Sequence, residues 1–373
     1  DGPLLKKAFS AFLANWGKNY RIHPDFKVLI ADMNSYLSDL RLWLEHVEIS
    51  IRLAPAEKRA ALEQEALGAL HDSIVVSMNA LFEKFELVAS KVAPEDKPAH
   101  RHWMRRQVHP LLLAAPFADR TYHKPLGYAG DYEMVNMILR NPYEGDSLFA
   151  KALNAWYISQ PPAEAHRNRI KYLTEQLVKE TLRAVAGGRK ARIFNLGCGP
   201  AGEVQRFLAQ SDLCNHAEFT LVDFNDETLA YATKTLNSVK TQHHRSTAIN
   251  LVKKSVAQIL MGRGKSSITA SGAKYDLIYC AGLFDYLPDS YCQQLMDLFY
   301  EMLTPGGLLI GTNVDAANPI QQMLDYVLDW VLIYRNGSEL AAVVPGKADP
   351  DWVSVSADVT SVNIYLEVRK PAL

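Results

Sequence analysis

Arg192-Ile193-Phe194-Asn195-Leu196-Gly197-Cys198-Gly199-Pro200-Ala201-Gly202-Glu203 is an apolar run that breaks into a glycine-rich turn. Leu221-Val222-Asp223-Phe224 follows, about twenty residues on. A strand that ends in glycines and opens a helix brings backbone close to a ligand, because glycine has no Cβ and accepts positive φ. The acid that ends the next strand is placed to hydrogen-bond a pair of ribose hydroxyls. Together these features predict a cofactor that contains adenosine.

Outward from this turn, short apolar runs alternate with amphipathic segments. Strands are predicted at 191–196, 218–223, 248–252, 275–281 and 307–313. Such alternation implies parallel pairing and an α/β, Rossmann-like doubly wound sheet. The segments 351–357 and 361–369 alternate with a period of two and predict a terminal antiparallel pair. The Gly/Ser-rich stretch 261–274 reads as a mobile surface loop. Residues before about 150 read as α-helical. Leu29, Met33, Tyr36, Leu40, Trp43 and Val47 fall on one stripe, and a second long helix is expected after Pro55. Two domains result: a helical one over 1–150 that ends in a tyrosine-rich lid segment, and a Rossmann-like catalytic one over 151–373. The helical stripes also leave open a homodimer through the N-terminal helices.

The 373 residues are 48% apolar and 22% charged with a formal net charge of −1, an ordinary globular balance. Near-neutrality gives no general attraction to nucleic acid, and none is expected as a partner. Cys198, Cys214, Cys280 and Cys292 are widely spaced. They read as reduced thiols of a cytoplasmic protein, with Cys198 a small filler inside the turn. No run is long enough to span a bilayer, and the first residues lack a signal-peptide pattern. His102, His109 and His123 show no metal-like spacing with carboxylates, so no metal is expected.

Gly197 to Gly202 fits G-x-G-x-x-G, a short pattern shared by several cofactor sites. An NAD fold normally has a second mononucleotide half, and none is visible after Asn313. The chain closes instead with the antiparallel pair, and Tyr275 to Leu287 is followed by Leu303-Thr304-Pro305-Gly306-Gly307. Over about 190–370 the sequence resembles the class I S-adenosylmethionine-dependent methyltransferases. The resemblance implies S-adenosyl-L-methionine as cofactor, with Asn195, Gly197, Gly199 and Gly202 in its cradle. It makes Asp223 the ribose acid, with Phe224 beside it, and sets Ser255 and Val256 next to the adenine. The family usually carries Asp or Glu where Asn195 stands. Lys124 to Tyr132, Asn141 to Ser147, His166 to Arg169 and Leu328 to Arg335 are similar to a narrower bacterial group. Its members are described as 3-hydroxypalmitate methyl ester (extracellular factor) biosynthesis methyltransferases, which implies a small-molecule acceptor and a role in secondary metabolism.

Methyl transfer from a sulfonium requires aligned donor and acceptor with water excluded. A carboxylate acceptor is already ionised at neutral pH, whereas amines, phenols and carbon acids need a base. Gly282, Leu283, Asp285 and Tyr286 follow strand four and are expected to face the sulfonium. They include no histidine, which favours an acceptor that needs little activation. Asp285 serves equally as a cap for the next helix. Tyrosine faces attract cations by about 0.5–2 kcal/mol, so Tyr128, Asp131 and Tyr132 are expected in a lid over the cofactor. The same rings would also serve as core. Arg169 is placed to hold the methionine carboxylate and Arg167 the substrate, unless either lines a solvated helix face. Trp330, Tyr334 and Arg335 are expected on an apolar helix at the acceptor pocket.

The leading reading is therefore O-methylation of a small or fatty-acid-like carboxylate. A methyltransferase-like cyclase is the alternative: the cofactor's own amine attacks its Cγ, giving azetidine-2-carboxylate and methylthioadenosine. A non-catalytic cofactor-binding protein is the third.

Overall fold

The computed structural model describes residues 2–18, 22–262 and 273–372. Most of the loop expected at 261–274 lies outside them. The helices in chain order are α1 (Gly2–Lys18), α2 (Pro24–Leu53), α3 (Ala56–Ala89), α4 (Lys97–Leu112), α5 (Pro116–His123), α6 (Tyr132–Leu139), α7 (Leu148–Ile158), α8 (Pro161–Ala186), α9 (Gly202–Gln210), α10 (Asp226–Gln242), α11 (Val256–Met261), α12 (Asp289–Met302), α13 (Gln321–Tyr326) and α14 (Gly337–Ala341). The strands are β1 (Ala191–Leu196), β2 (Ala217–Asp223), β3 (Ala248–Lys253), β4 (Tyr275–Cys280), β5 (Leu303–Val314), β6 (Val353–Ala357) and β7 (Asn363–Arg369). The chain forms two compact units. One comprises Asp1–Gly130, Arg140–Gln160 and Pro319–Val331, the other Asp131–Leu139, Pro161–Asn318 and Leu332–Leu373.

The first unit is helical. Pro24 opens α2 at a position where its missing N–H costs nothing. The buried stripe of α2 runs through Phe26, Ile30, Met33, Leu37 and Leu44. This rotates the expected stripe: Trp43 is 51% exposed, because the neighbouring helices cover the Leu37–Leu44 side. Phe26, Phe85 and Tyr326 form an aromatic cluster with centroids 5.7–6.1 Å apart. Trp156 packs at a tilt of 41° on Phe82 and donates its indole N–H to Asn79 at 2.8 Å. The Glu86 carboxylate accepts from the backbone N–H groups of Gln322 and Met323, at the start of α13.

The second unit is a seven-stranded sheet in the order β3-β2-β1-β4-β5-β7-β6. β1 to β5 are parallel, and β7 runs antiparallel between β5 and β6. Both faces are covered, so β1 and β4 are almost wholly buried and apolar at most positions. Phe194 and Ile278 point to the side packed by Phe299 of α12, while Ile193, Leu277 and Tyr279 pack with Leu177 of α8 and Phe207 of α9. β5 starts four residues earlier than expected, through Pro305 and Gly306, with a register shift against β4. A Cβ on Gly307 would lie 3.0 Å from the carbonyl oxygens of Thr304 and Tyr275, so a side chain there would press on two backbone groups. Chain order reverses between β1 and β4, which opens a crevice beyond the carboxyl ends of those strands.

The apolar stretch 328–335 is not the helix its composition predicts. α13 stops at Tyr326, Asp329 turns to φ 52°, and the chain up to Asn336 is neither helix nor strand. In the second unit the Ile333 N–H bonds the Asp285 carbonyl, and the Arg335 N–H bonds Val314. Tertiary pairing overrides local helix preference here.

Candidate functional site

The glycine turn sits at the crevice. Gly197, Gly199 and Ala201 have φ of 75°, 50° and 53°. The N–H groups of Gly197 and Cys198 both bond the Val222 carbonyl, which ties the turn to the end of β2. The Asp223 carboxylate accepts from the N–H of Gly199 at 3.1 Å and of Asn225 at 3.0 Å. Burial raises its pKa, against the pull of those bonds. A Cβ on Gly199 would meet nothing within 4 Å, so the backbone there faces open space that a ligand can approach. Phe224, beside Asp223, is 51% exposed. Ser255 caps α11 in a reciprocal capping box with Gln258, and Val256 is the first residue of that helix. These groups outline a site with one polar wall and one apolar rim.

The end of β4 supplies the facing wall. Gly282 has φ 81° and donates its N–H to the Thr312 hydroxyl. Leu283 lies 3.8 Å from where a Gly197 Cβ would stand, so the two strand ends meet at the switch point. Asp285 is buried in a short 3-10 turn, and its carboxylate accepts from the Val314 N–H at 2.6 Å. It caps the end of β5 rather than the helix that follows. Burial pushes its pKa up to about 6, opposed by that bond and by the charges of Arg169 and Arg335. Arg335, expected at the substrate, uses all five guanidinium N–H groups within the protein. They bond the carbonyls of Phe284 and Leu287, the Asn313 amide oxygen and the Asp289 carboxylate. It is a clamp that fixes the turn carrying Asp285.

Arg169 reaches this point from α8. A Cβ on Gly282 would lie 3.0 Å from its guanidinium. Among the described residues it forms no ion pair, and its hydrogen bond goes to His166 Nδ1 at 2.8 Å. A guanidinium only donates, so Nδ1 accepts and the imidazole proton sits on Nε2. Burial, then the charges of Arg169 and Arg167, hold the His166 pKa well below its usual value, and Nε2 is buried without a partner. Beside this pair, Glu203 is buried and accepts from the Tyr279 hydroxyl at 2.7 Å and the Asn195 amide at 3.3 Å. Burial raises the Glu203 pKa, while the Tyr279 bond and the Arg169 charge oppose the rise. The carboxylate expected at the strand end is thus supplied from the first turn of α9, and Asn195 Oδ1 remains buried without a partner. Sequence reading missed both Glu203 and His166. An acid in the turn directly after the glycines was the available signal for the first.

The remaining candidates are distributed. Gly202 opens α9 close to Ile170. Asp131 accepts from the Met134 N–H, as a helix cap does. Tyr132 stacks on Tyr231 at 4.6 Å and donates to Glu227. Arg167 bonds Glu164 and the Ile138 carbonyl, which ties α8 to α6. Tyr286 is 36% exposed and Tyr334 half-buried. Tyr128 and Trp330 fall in the helical unit. Among the described residues no group of three or more His, Cys, Asp or Glu is placed to hold a metal ion, and no helix is long and apolar enough to cross a membrane.

Residues 194–309 match the family described as methyltransferase domain. No curated protein matches the chain. A crystal structure of a possible exported protein from Bordetella parapertussis is similar with 16% identity and a TM-score of 0.50, over 86% of this chain and all of that one. Magnesium protoporphyrin IX methyltransferase from Synechocystis PCC 6803, with bound S-adenosylhomocysteine, aligns at 11% identity and a TM-score of 0.39, over 56% of this chain and 84% of that one. N-methyltransferase NodS from Bradyrhizobium japonicum WM9 aligns at 14% identity and a TM-score of 0.34, over 54% and 96%. The glycine turn, the acid ending β2 and the reversal of strand order between β1 and β4 all fall within the residues that match the methyltransferase domain family.

Proposed function

We propose that the chain is an O-methyltransferase of the cytoplasm that acts on a small or fatty-acid-like carboxylate. The observation that carries this reading is the state of the acids and bases around the end of β4. Asp285 is bound to the Val314 N–H, and Glu203 is bound by Tyr279 and Asn195. His166 Nδ1 is taken by Arg169. Each of these bases is occupied, which favours an acceptor that arrives already ionised.

The residues present fit the cofactor. Gly197, Gly199 and Gly202 allow close approach, and Asp223 suits the ribose hydroxyls. Phe224, Ser255 and Val256 form the adenine side. Arg169, with no carboxylate of its own, suits the methionine carboxylate, and the unpartnered Oδ1 of Asn195 suits the ammonium. Gly282 and Leu283 border the sulfonium, whose methyl group is the electrophile supplied to the acceptor. Tyr286 and Tyr334 are assigned to the acceptor side.

The test is incubation of the protein with S-adenosylmethionine, with and without long-chain 3-hydroxy acids, read by mass spectrometry. S-adenosylhomocysteine and a methyl ester that appear only with the acid are expected. Methylthioadenosine formed with no acceptor would overturn methyl transfer in favour of the cyclase. Tight binding without consumption under any condition would leave a cofactor-binding protein.

A further inference from the structure

The helix α1 carries a property that the methyltransferase domain does not use. Leu4, Leu5, Phe9, Phe12 and Leu13 are 73, 71, 59, 54 and 50% exposed. At 3.6 residues per turn, Leu4, Ala8 and Phe12 lie beside Leu5, Phe9 and Leu13, and together they fill an arc of about 180°. Lys6 lies at one border of that arc, and Lys7 lies on the opposite face. The 17 residues of α1 contain three lysines, Lys6, Lys7 and Lys18, and no acid, a local charge of +3 in a chain whose total is −1.

We propose that α1 is an interfacial helix that lays its apolar arc on an anionic lipid surface. Lys6 at the border of the apolar arc can extend its ammonium group to the headgroups while its stem and the Leu and Phe side chains enter the acyl boundary, and Lys7 adds positive charge on the polar face. The charge pattern separates this occupant from a second copy of the chain. A self-associating helix seam needs a narrow stripe flanked by charges of both signs. Two copies of α1 that met through this arc would gain no opposite charge from each other, because the helix contains lysines and no acid. An anionic bilayer complements the lysines and covers the whole arc. Lys6 and Lys7 within the helix exclude a spanning role, so the helix rests in the plane of the interface.

The experiment is flotation of the whole protein with phosphatidylcholine vesicles, pure or containing one third phosphatidylglycerol. Binding to the anionic vesicles at least tenfold stronger than to the neutral ones, and weakened by 0.5 M salt, is expected. Lys6→Glu/Lys7→Glu should reduce anionic binding about tenfold or more, and Phe9→Ser/Phe12→Ser should abolish it. Neither pair should change the thermal unfolding midpoint or cofactor binding, because these side chains are exposed. Equal binding to both vesicle types, no binding to either, or variants that float like the parent would overturn the proposal. So would a dimer by light scattering that Phe9→Ser/Phe12→Ser converts to a monomer while the parent fails to float.

Discussion

Asp276, the second residue of β4, and Asp285, five residues past its end, are both buried, at 0% and 4% exposure. Their carboxylates meet opposite conditions. Burial would raise the Asp276 pKa, but bonds from Arg189 and the Arg192 N–H, with the charges of Arg189 and Arg183, hold it below the usual range. Burial prevails at Asp285, whose pKa reaches about 6. Asp223 and Glu203, also at the carboxyl edge of the sheet, are raised for the same reason. One edge of the sheet neutralises its acid with its own cations. The other keeps acids partly compensated and leaves Arg169 without a carboxylate, as a polar ligand requires.

Removal of Asp276 should have the largest effect. Asp276→Ala leaves Arg189 without its carboxylate, Arg183 with Glu180 alone, and the Arg192 N–H without its acceptor. A loss of about 3–5 kcal/mol in unfolding free energy by urea titration is expected, with unchanged cofactor affinity in the fraction that remains folded. A loss of affinity without a loss of stability would reverse the roles assigned to the two edges.

Asp285 should act through pH. Its folded pKa is raised from 3.8 to about 6, so between these values the folded state binds more protons than the unfolded one. Its contribution is most favourable below about pH 4 and is lost as pH rises through about 6, a change of about 3 kcal/mol. Asp276 has the opposite sign: its pKa is lowered, so its contribution is present above the ordinary carboxylate pKa and is lost as pH falls below it. Unfolding curves of Asp285→Asn from pH 4 to 7 should lack the decline that the parent shows on the alkaline side of this window. A parent profile that rises steadily with pH and is unchanged in the variant would contradict the raised value.

Much of the sheet unit was legible because its cues are local. The edges of β1, the glycine turn, Asp223 and the alternating terminal pair are each set by a few adjacent residues, and the structure places them where they were read. The site was less legible because its pairings are distant. Glu203 replaces the acid missing at Asn195 from eight residues downstream, and Arg169 meets Gly282 across more than a hundred residues. Arg335 reads in sequence as an acceptor-pocket residue, yet Phe284, Leu287, Asp289 and Asn313 take up its donors. The helix expected at Trp330, Tyr334 and Arg335 is absent because apolar content does not distinguish helix from irregular chain, and the distant bonds to Asp285 and Val314 decide between them.

Arg169 gives the next effect in size. Arg169→Met keeps much of the side chain's bulk against Gly282 but removes the charge. Cofactor affinity by calorimetry should fall about tenfold to a hundredfold, the range for a charge-assisted bond of about 1.5–3 kcal/mol. Stability should change little, since no ion pair within the described residues is broken. The same substitution should lift the restraint that the guanidinium places on Asp285, raising that pKa further.

Tyr132 should give the smallest effect, and it tests the comparison at its margin. Its hydroxyl donates to Glu227 at 2.8 Å near the surface, and its ring stacks on Tyr231. Tyr132→Phe keeps the stack and removes one exposed bond, worth about 0.5–1 kcal/mol at most. If the hydroxyl only ties α6 to α10, turnover and stability should both shift by no more than a few fold. A fall in turnover of a hundredfold with an unchanged unfolding midpoint would instead place Tyr132 with the ligand-facing edge, as the tyrosine-rich sequence around it suggests.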